Sequence, residues 1–118
     1  QTLEIFVSAA WANNNSRVEC YVSLFNNLSS SRYISGITIY LISCTTASQD
    51  PSTGSTVATT TLGSCTVAAG GQYDYSMTYI TASRNQALYY WITARPTDSS
   101  IVFSNSYQQV EDEDAPLE

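Results

Sequence analysis

A chain of 118 residues with 43% apolar side chains is one domain by length and can bury a core without a metal or disulfide, and nothing in it approaches the ~20 consecutive apolar residues of a membrane-spanning helix. It contains no Lys and no His, and four Arg face ten acids for a formal net charge of −6, which argues against a nucleic-acid partner because phosphate recognition needs clustered cations. The same absences exclude a Ser-His-Asp triad, a Cys-His pair and a Ser-Lys dyad.

In chain order, Leu3, Ile5, Val7, Ala9 and Trp11 share one parity, which predicts a first strand. Asn13-Asn14-Asn15-Ser16 predicts a turn, because Asn tolerates positive φ. Val18, Cys20, Val22 and Leu24 then alternate with Arg17, Glu19, Tyr21 and Ser23, the pattern of a half-buried strand. Asn26 to Arg32 is a polar loop. Gly36 to Cys44 is apolar on both faces, so it is expected to be a central strand covered on both sides or to carry an interface.

Thr45 to Ser64 is rich in Thr and Ser and contains the turn signal Asp50-Pro51-Ser52-Thr53-Gly54, with a short edge strand expected at Thr56 to Leu62. Cys65-Thr66-Val67 leads into a flexible break at Gly70-Gly71. Tyr73, Tyr75, Met77 and Tyr79 alternate with Asp74, Ser76 and Thr78, predicting one strand.

The stretch from Gln86 to Tyr107 organises the rest. Leu88, Tyr90, Ile92 and Ala94 alternate with Tyr89, Trp91, Thr93 and Arg95, then Pro96 to Ser100 supplies turn chemistry and Ile101-Val102-Phe103 a second strand. Together they predict a central hairpin. The expected core includes Val18, Val22, Leu24, Ile39, Leu41, Leu88, Tyr90 and Ile92. The acids of Glu111 to Asp114, with Glu118, predict an acidic, mobile tail or linker at 110–118 beyond a domain of 1–109.

Seven to eight short strands without helical periodicity predict an all-β fold, an antiparallel β-sandwich. CYVSLFNNLSSSRYISGITIYLIS resembles the paired central strands of an immunoglobulin-like domain. CTVAAGGQYDYSMTY and LYYWITARP are similar to the later strands of fibronectin type III-like sandwiches in bacterial surface proteins. The resemblance implies an Ig-like sandwich with scaffold or binding roles and transfers no site residue. The antibody-type disulfide is not available, since the sixth predicted strand carries no Cys.

Cys44 and Cys65 bracket the Thr/Ser-rich excursion and are expected to pair, with Cys20 a buried free thiol. Without His or a Cys-x-x-Cys spacing, no metal site and no cofactor are expected. A glycosidase-like pair from Glu19, Asp74 and Asp98 is formally available, but each is more simply a solvent-facing residue, so an enzyme is not expected. Asn14-Asn15-Ser16 and Asn27-Leu28-Ser29 match the glycosylation pattern, which chance also produces.

Nine Tyr and two Trp carry the functional signal. Parity puts Tyr89 and Trp91 on the outer face of their strand, where with Trp11 they would form a ligand platform. Few charges and a polar surface suit a secreted or cell-surface module for adhesion, spacing or protein–protein interaction, with a protein or neighbouring domains of a larger chain as partner. The start at Gln1 is read as processing or excision. The alternatives are a carbohydrate-binding module on the aromatic platform, with a polysaccharide ligand, and a structural subunit of a virion or pilus-like assembly.

Overall fold

Side-chain alternation sorts each long strand into an inward and an outward face, and the inward faces meet. The structure, a computed structural model that describes residues 2–113, has eleven strands and, among the described residues, no α-helix. Four long strands build it: β1 (Leu3–Ala12), β2 (Arg17–Asn26), β4 (Ile37–Cys44) and β9 (Tyr89–Pro96). A fifth, β5 (Ser55–Leu62), follows a 3-10 turn at Pro51–Thr53. Six short strands complete the set: β3 (Arg32–Ile34), β6 (Cys65–Val67), β7 (Gln72–Asp74), β8 (Thr78–Thr81), β10 (Phe103–Ser104) and β11 (Gln108–Gln109). The excess over the seven or eight expected from sequence comes from these short pieces.

The first sheet runs β10-β1-β2, with β7 and β8 both pairing the far side of β2, and the second runs β11-β9-β4-β5. β3 and β6 form a two-stranded sheet of their own. Leu3, Ile5, Val7, Ala9 and Trp11 of β1 and Val18, Cys20, Val22 and Leu24 of β2 pack in one buried cluster with Ile37, Ile39 and Leu41 of β4 and Tyr90, Ile92 and Ala94 of β9. Of the expected core, Leu88 alone is only partly buried.

The Asn turn forms as its chemistry dictates. Asn13, Asn14 and Asn15 all take φ between 55° and 61°, joining β1 to β2 in unbroken antiparallel register from Leu3↔Asn26 to Ala12↔Arg17. Gly70 also sits in the left-handed region, and its turn is tied to Asn26 by Gly70 N–H to the Asn26 carbonyl and Asn26 N–H to the Gly71 carbonyl. The buried Asn26 amide donates to the Val67 and Ser30 carbonyls and accepts from Leu28 N–H, so its burial leaves no polar atom unpaired.

Three expectations are corrected. The pairing is mixed, not purely antiparallel, because β10 runs parallel to β1. Accordingly, the hairpin after β9 does not form. Asp98 turns the chain by accepting from the Ser100 amide and hydroxyl, and Phe103 then pairs Leu3 in the other sheet. The chain crosses back at β11 to pair Trp91 and Ile92, then bridges Ala10 through Glu111.

The expected single strand from Tyr73 to Tyr79 is two strands. Leu24 faces Tyr73 and Cys20 faces Thr78, so four steps along β2 are matched by five along the other chain. That one-residue excess, a bulge within Tyr75–Met77, reverses the facing of everything after it. Val110, which the sequence places at the start of the tail, is buried in the core, and Glu111 N–H donates to the Ala9 carbonyl. Asp112 ion-pairs with Arg84 at 2.6 Å and Glu113 accepts from Asn15 N–H. Residues 114–118 of the expected tail lie outside the described residues.

Candidate interaction surface

The three residues of the expected platform are not brought together. Trp11 is 1% exposed and meets Tyr90 edge-on in the core, ring centroids 5.0 Å apart. Its odd parity on β1 follows Leu3 to Ala9 inward, so it packs in the core. Tyr89 is 41% exposed at the start of β9. Trp91 faces outward, but it is half-buried, and its Nε1 is buried without a hydrogen-bond partner among the described residues.

The outward face of the second sheet is largely closed by the protein's own chain. Trp91 lies in a row between Gln109 of β11 and Ile42 of β4. Ile42 is itself buried, because the chain following the 3-10 turn lies on it: a Cβ at Gly54 would stand 2.6 Å from Ile42 Cγ2. One row further, the buried Thr93 hydroxyl is held between the Asn105 amide at 2.8 Å and the Ser106 carbonyl at 3.3 Å. The Arg95 guanidinium lies 4.9 Å from the centre of the Tyr40 ring. At Ile42 and Cys44 the second apolar face expected for β4 is thus covered by the end of the 45–54 excursion, while Tyr40 stays half-buried.

The outward face of the first sheet differs. Register sets Phe6 opposite Ser23, Ser8 opposite Tyr21, Glu4 opposite Phe25 and Glu19 opposite Tyr79. Phe25, Phe6, Tyr21 and Tyr79 therefore run diagonally across β1, β2 and β8, each within the diagonal reach of the next. Phe6, Tyr21 and Tyr79 are 54%, 44% and 48% exposed. The Arg17 guanidinium stacks 4.3 Å from the Tyr79 ring centre while Nη2 donates to Glu19 at 3.1 Å, so that end of the stripe is charge-balanced.

Glu4 and Asp74 flank the other end, and no cation pairs with either among the described residues. Hydrogen bonds from the Gln72 amide and then the Ser23 hydroxyl hold the Asp74 carboxyl below the usual aspartate range. Sequence reading missed this face for two reasons. Phe6 stands alone against the dominant parity of β1, and Tyr79 reaches the outer face only through the bulge after Tyr75.

The expected Cys44–Cys65 bridge is corrected: both are buried free thiols. Ile37 pairs Leu62, so Cys65 lies beyond one end of β4 while Cys44 ends the other. At about 3.3 Å per residue the strand holds them roughly 20 Å apart, far outside the 4.4–6.8 Å Cα separation of a disulfide. Cys65 instead lies 3.3 Å from the Tyr75 hydroxyl, which donates to the Gly63 carbonyl at 2.8 Å. Cys20 is buried with its Sγ toward the Thr78 carbonyl, and burial pushes its thiol up to about 12.

The formal carboxylate pair does not assemble a cleft. Glu19 is held by Arg17, Asp74 is on the open outer face, and Asp98 is spent on the turn after β9. Among the described residues no cluster of His, Cys, Asp or Glu could hold a metal ion.

These features define a class: an all-β domain of two facing sheets, one mixed and one antiparallel, with an exposed row of aromatic side chains on the outer face of the first. No family model matches the chain, and no curated protein matches it in sequence. Among solved structures it is similar to Spo0M, a sporulation control protein from Bacillus subtilis, with a TM-score of 0.68 at 12% sequence identity over 98% of this chain. The chain spans about half of that protein, 51% of its length, and the likeness is one of fold.

Proposed function

We propose that the chain is a non-catalytic interaction module that binds a protein partner through the outer face of its first sheet. The observation that carries this is the exposed diagonal of Phe6, Tyr21 and Tyr79 inside a polar margin of Glu4, Ser8, Ser23 and Asp74. Protein interfaces are built this way, with aromatic anchors at the centre and polar groups at the rim. Because Glu4 and Asp74 are unpaired while Arg17 and Glu19 neutralise each other, the partner surface should be apolar at its centre and basic at its edge.

The facing sheets support an Ig-like sandwich, extended to eleven strands, as the scaffold. Its role as an adhesion or spacing domain of a longer secreted or cell-surface protein rests on the low charged fraction of 12%. The free thiols add nothing to that setting. The polysaccharide alternative keeps Tyr89 and Trp91 but loses Trp11 to the core.

Site-directed photo-crosslinking tests the proposal. A photoreactive side chain at Phe6 or Tyr21 should yield a protein adduct that the same group at Tyr89 does not. Adducts at Tyr89 alone, or glycan retention lost on Trp91→Ala, would favour the polysaccharide alternative and contradict the protein-partner proposal.

A further inference from the structure

The edges of the two sheets are not equally protected. β10, β11, β7 and β8 are two to four residues long, and β7 carries Asp74. Short or charged edges resist pairing with other chains. β5 is the exception. It spans eight residues, Ser55–Leu62, at the end of the second sheet, and most of its side chains are exposed. No charged residue and no Pro occurs within it, and the uncharged stretch extends from Pro51 to Tyr73.

We propose that β5 pairs antiparallel with β5 of a second copy about a two-fold axis near Ala58–Thr59, joining the two four-stranded sheets into one of eight strands. Two observations select a second copy over an unrelated strand. A two-fold brings the residues at its axis against their own counterparts and sets one end of the strand against the other, so a charge at the centre would face itself, and β5 carries none anywhere. Its composition is self-complementary as well: Thr hydroxyls pair across strands, as Thr38 and Thr61 do here at 3.4 Å, and β5 offers Thr56, Thr59, Thr60 and Thr61.

The core is also unfinished at this edge. Ala58 and Leu62 pack against the buried cluster yet remain partly exposed, and a continuing sheet would cover them. The bulge at Leu41/Ile42 leaves Val57 outside the register with β4 and 46% exposed, adding apolar surface to the same edge. This edge and the aromatic face of the first sheet are separate surfaces, so either assignment can fail alone.

Sedimentation equilibrium on the full chain reads the outcome. The mass should rise with concentration from 12.9 kDa toward twice that value. Thr59→Lys and Thr59→Glu should each weaken self-association by about tenfold or more, since each places like charges face to face. Mixing the two variants should restore the dimer, which also shows that both fold. Phe6→Ser with Tyr21→Ser should leave it unchanged. A monomer at every concentration up to about 1 mM, a dimer indifferent to Thr59→Lys, variants that do not dimerise when mixed, or a dimer lost in Phe6→Ser/Tyr21→Ser would each overturn the proposal.

Discussion

The outer faces of the two sheets carry similar side chains and meet different fates. On the second sheet, Ile42, Trp91 and Thr93 lie under or beside the turn ending at Gly54 and the segment from Asn105 to Gln109. On the first, Phe6, Tyr21 and Tyr79 stay open to solvent. Parity alone makes both faces outward. What separates them is chain topology, because both long excursions, the one after β4 and the one after β9, return over the second sheet. The covered aromatic residues of that sheet therefore serve stability, while Tyr89 at its end and the aromatics of the first sheet stay exposed.

The comparison can be broken at several points. The largest effect is expected inside the core: Trp11→Ala should cost about 3–5 kcal/mol, a large part of the stability of an ordinary domain. Chemical denaturation would register it, and an unchanged midpoint would mean Trp11 is not the packing residue described. Next is the cover over the second sheet. Gly54→Ala places a Cβ against Ile42 Cγ2 and the Ser43 carbonyl, both at 2.6 Å, and should cost about 1–3 kcal/mol by overpacking. The same substitution at Gly63, where nothing lies within 4 Å of a Cβ, is the control and should leave the midpoint where it was.

The smallest effect is electrostatic and sets a carboxylate of the open face, Asp74, beside one in the turn after β9, Asp98. Asp74 and Asp98 are both held below the usual aspartate range, Asp74 by Gln72 and then Ser23, Asp98 by the Ser100 hydroxyl and then its amide. A depressed folded pKa adds stability above the unfolded aspartate value and loses it as pH falls through the folded value. Carboxyl NMR titration should find both midpoints low, and Gln72→Ala should raise that of Asp74 alone. Equal movement of the two would show that the local hydrogen bonds are not the cause.

Much of the fold was legible in the sequence. Alternation placed β1, β2, β4 and β9 and their inward residues, Asn13 to Asn15 announced their turn, and the Thr-rich edge strand appears as β5. The rest depended on pairing, which a single strand's pattern does not carry. Nothing in YDYSMTYI marks the bulge that turns Tyr79 outward. Nothing in IVF reveals that Phe103 pairs β1 and not β9. Cys44 and Cys65 looked like a pair because loop length was read without the strand between them, which holds them apart. The aromatic face escaped notice because its members come from three strands and no two are neighbours in parity.

The most direct test sets one outer face against the other. Urea denaturation of Trp91→Ala should show a loss of about 1–2 kcal/mol, the worth of a half-buried indole. The double substitution Phe6→Ala/Tyr21→Ala should stay within about 0.5 kcal/mol of the parent chain, as exposed sites do. A Trp91→Ala chain as stable as the parent, beside a Phe6→Ala/Tyr21→Ala chain that unfolds early, would reverse the assignment of the two faces and contradict the account.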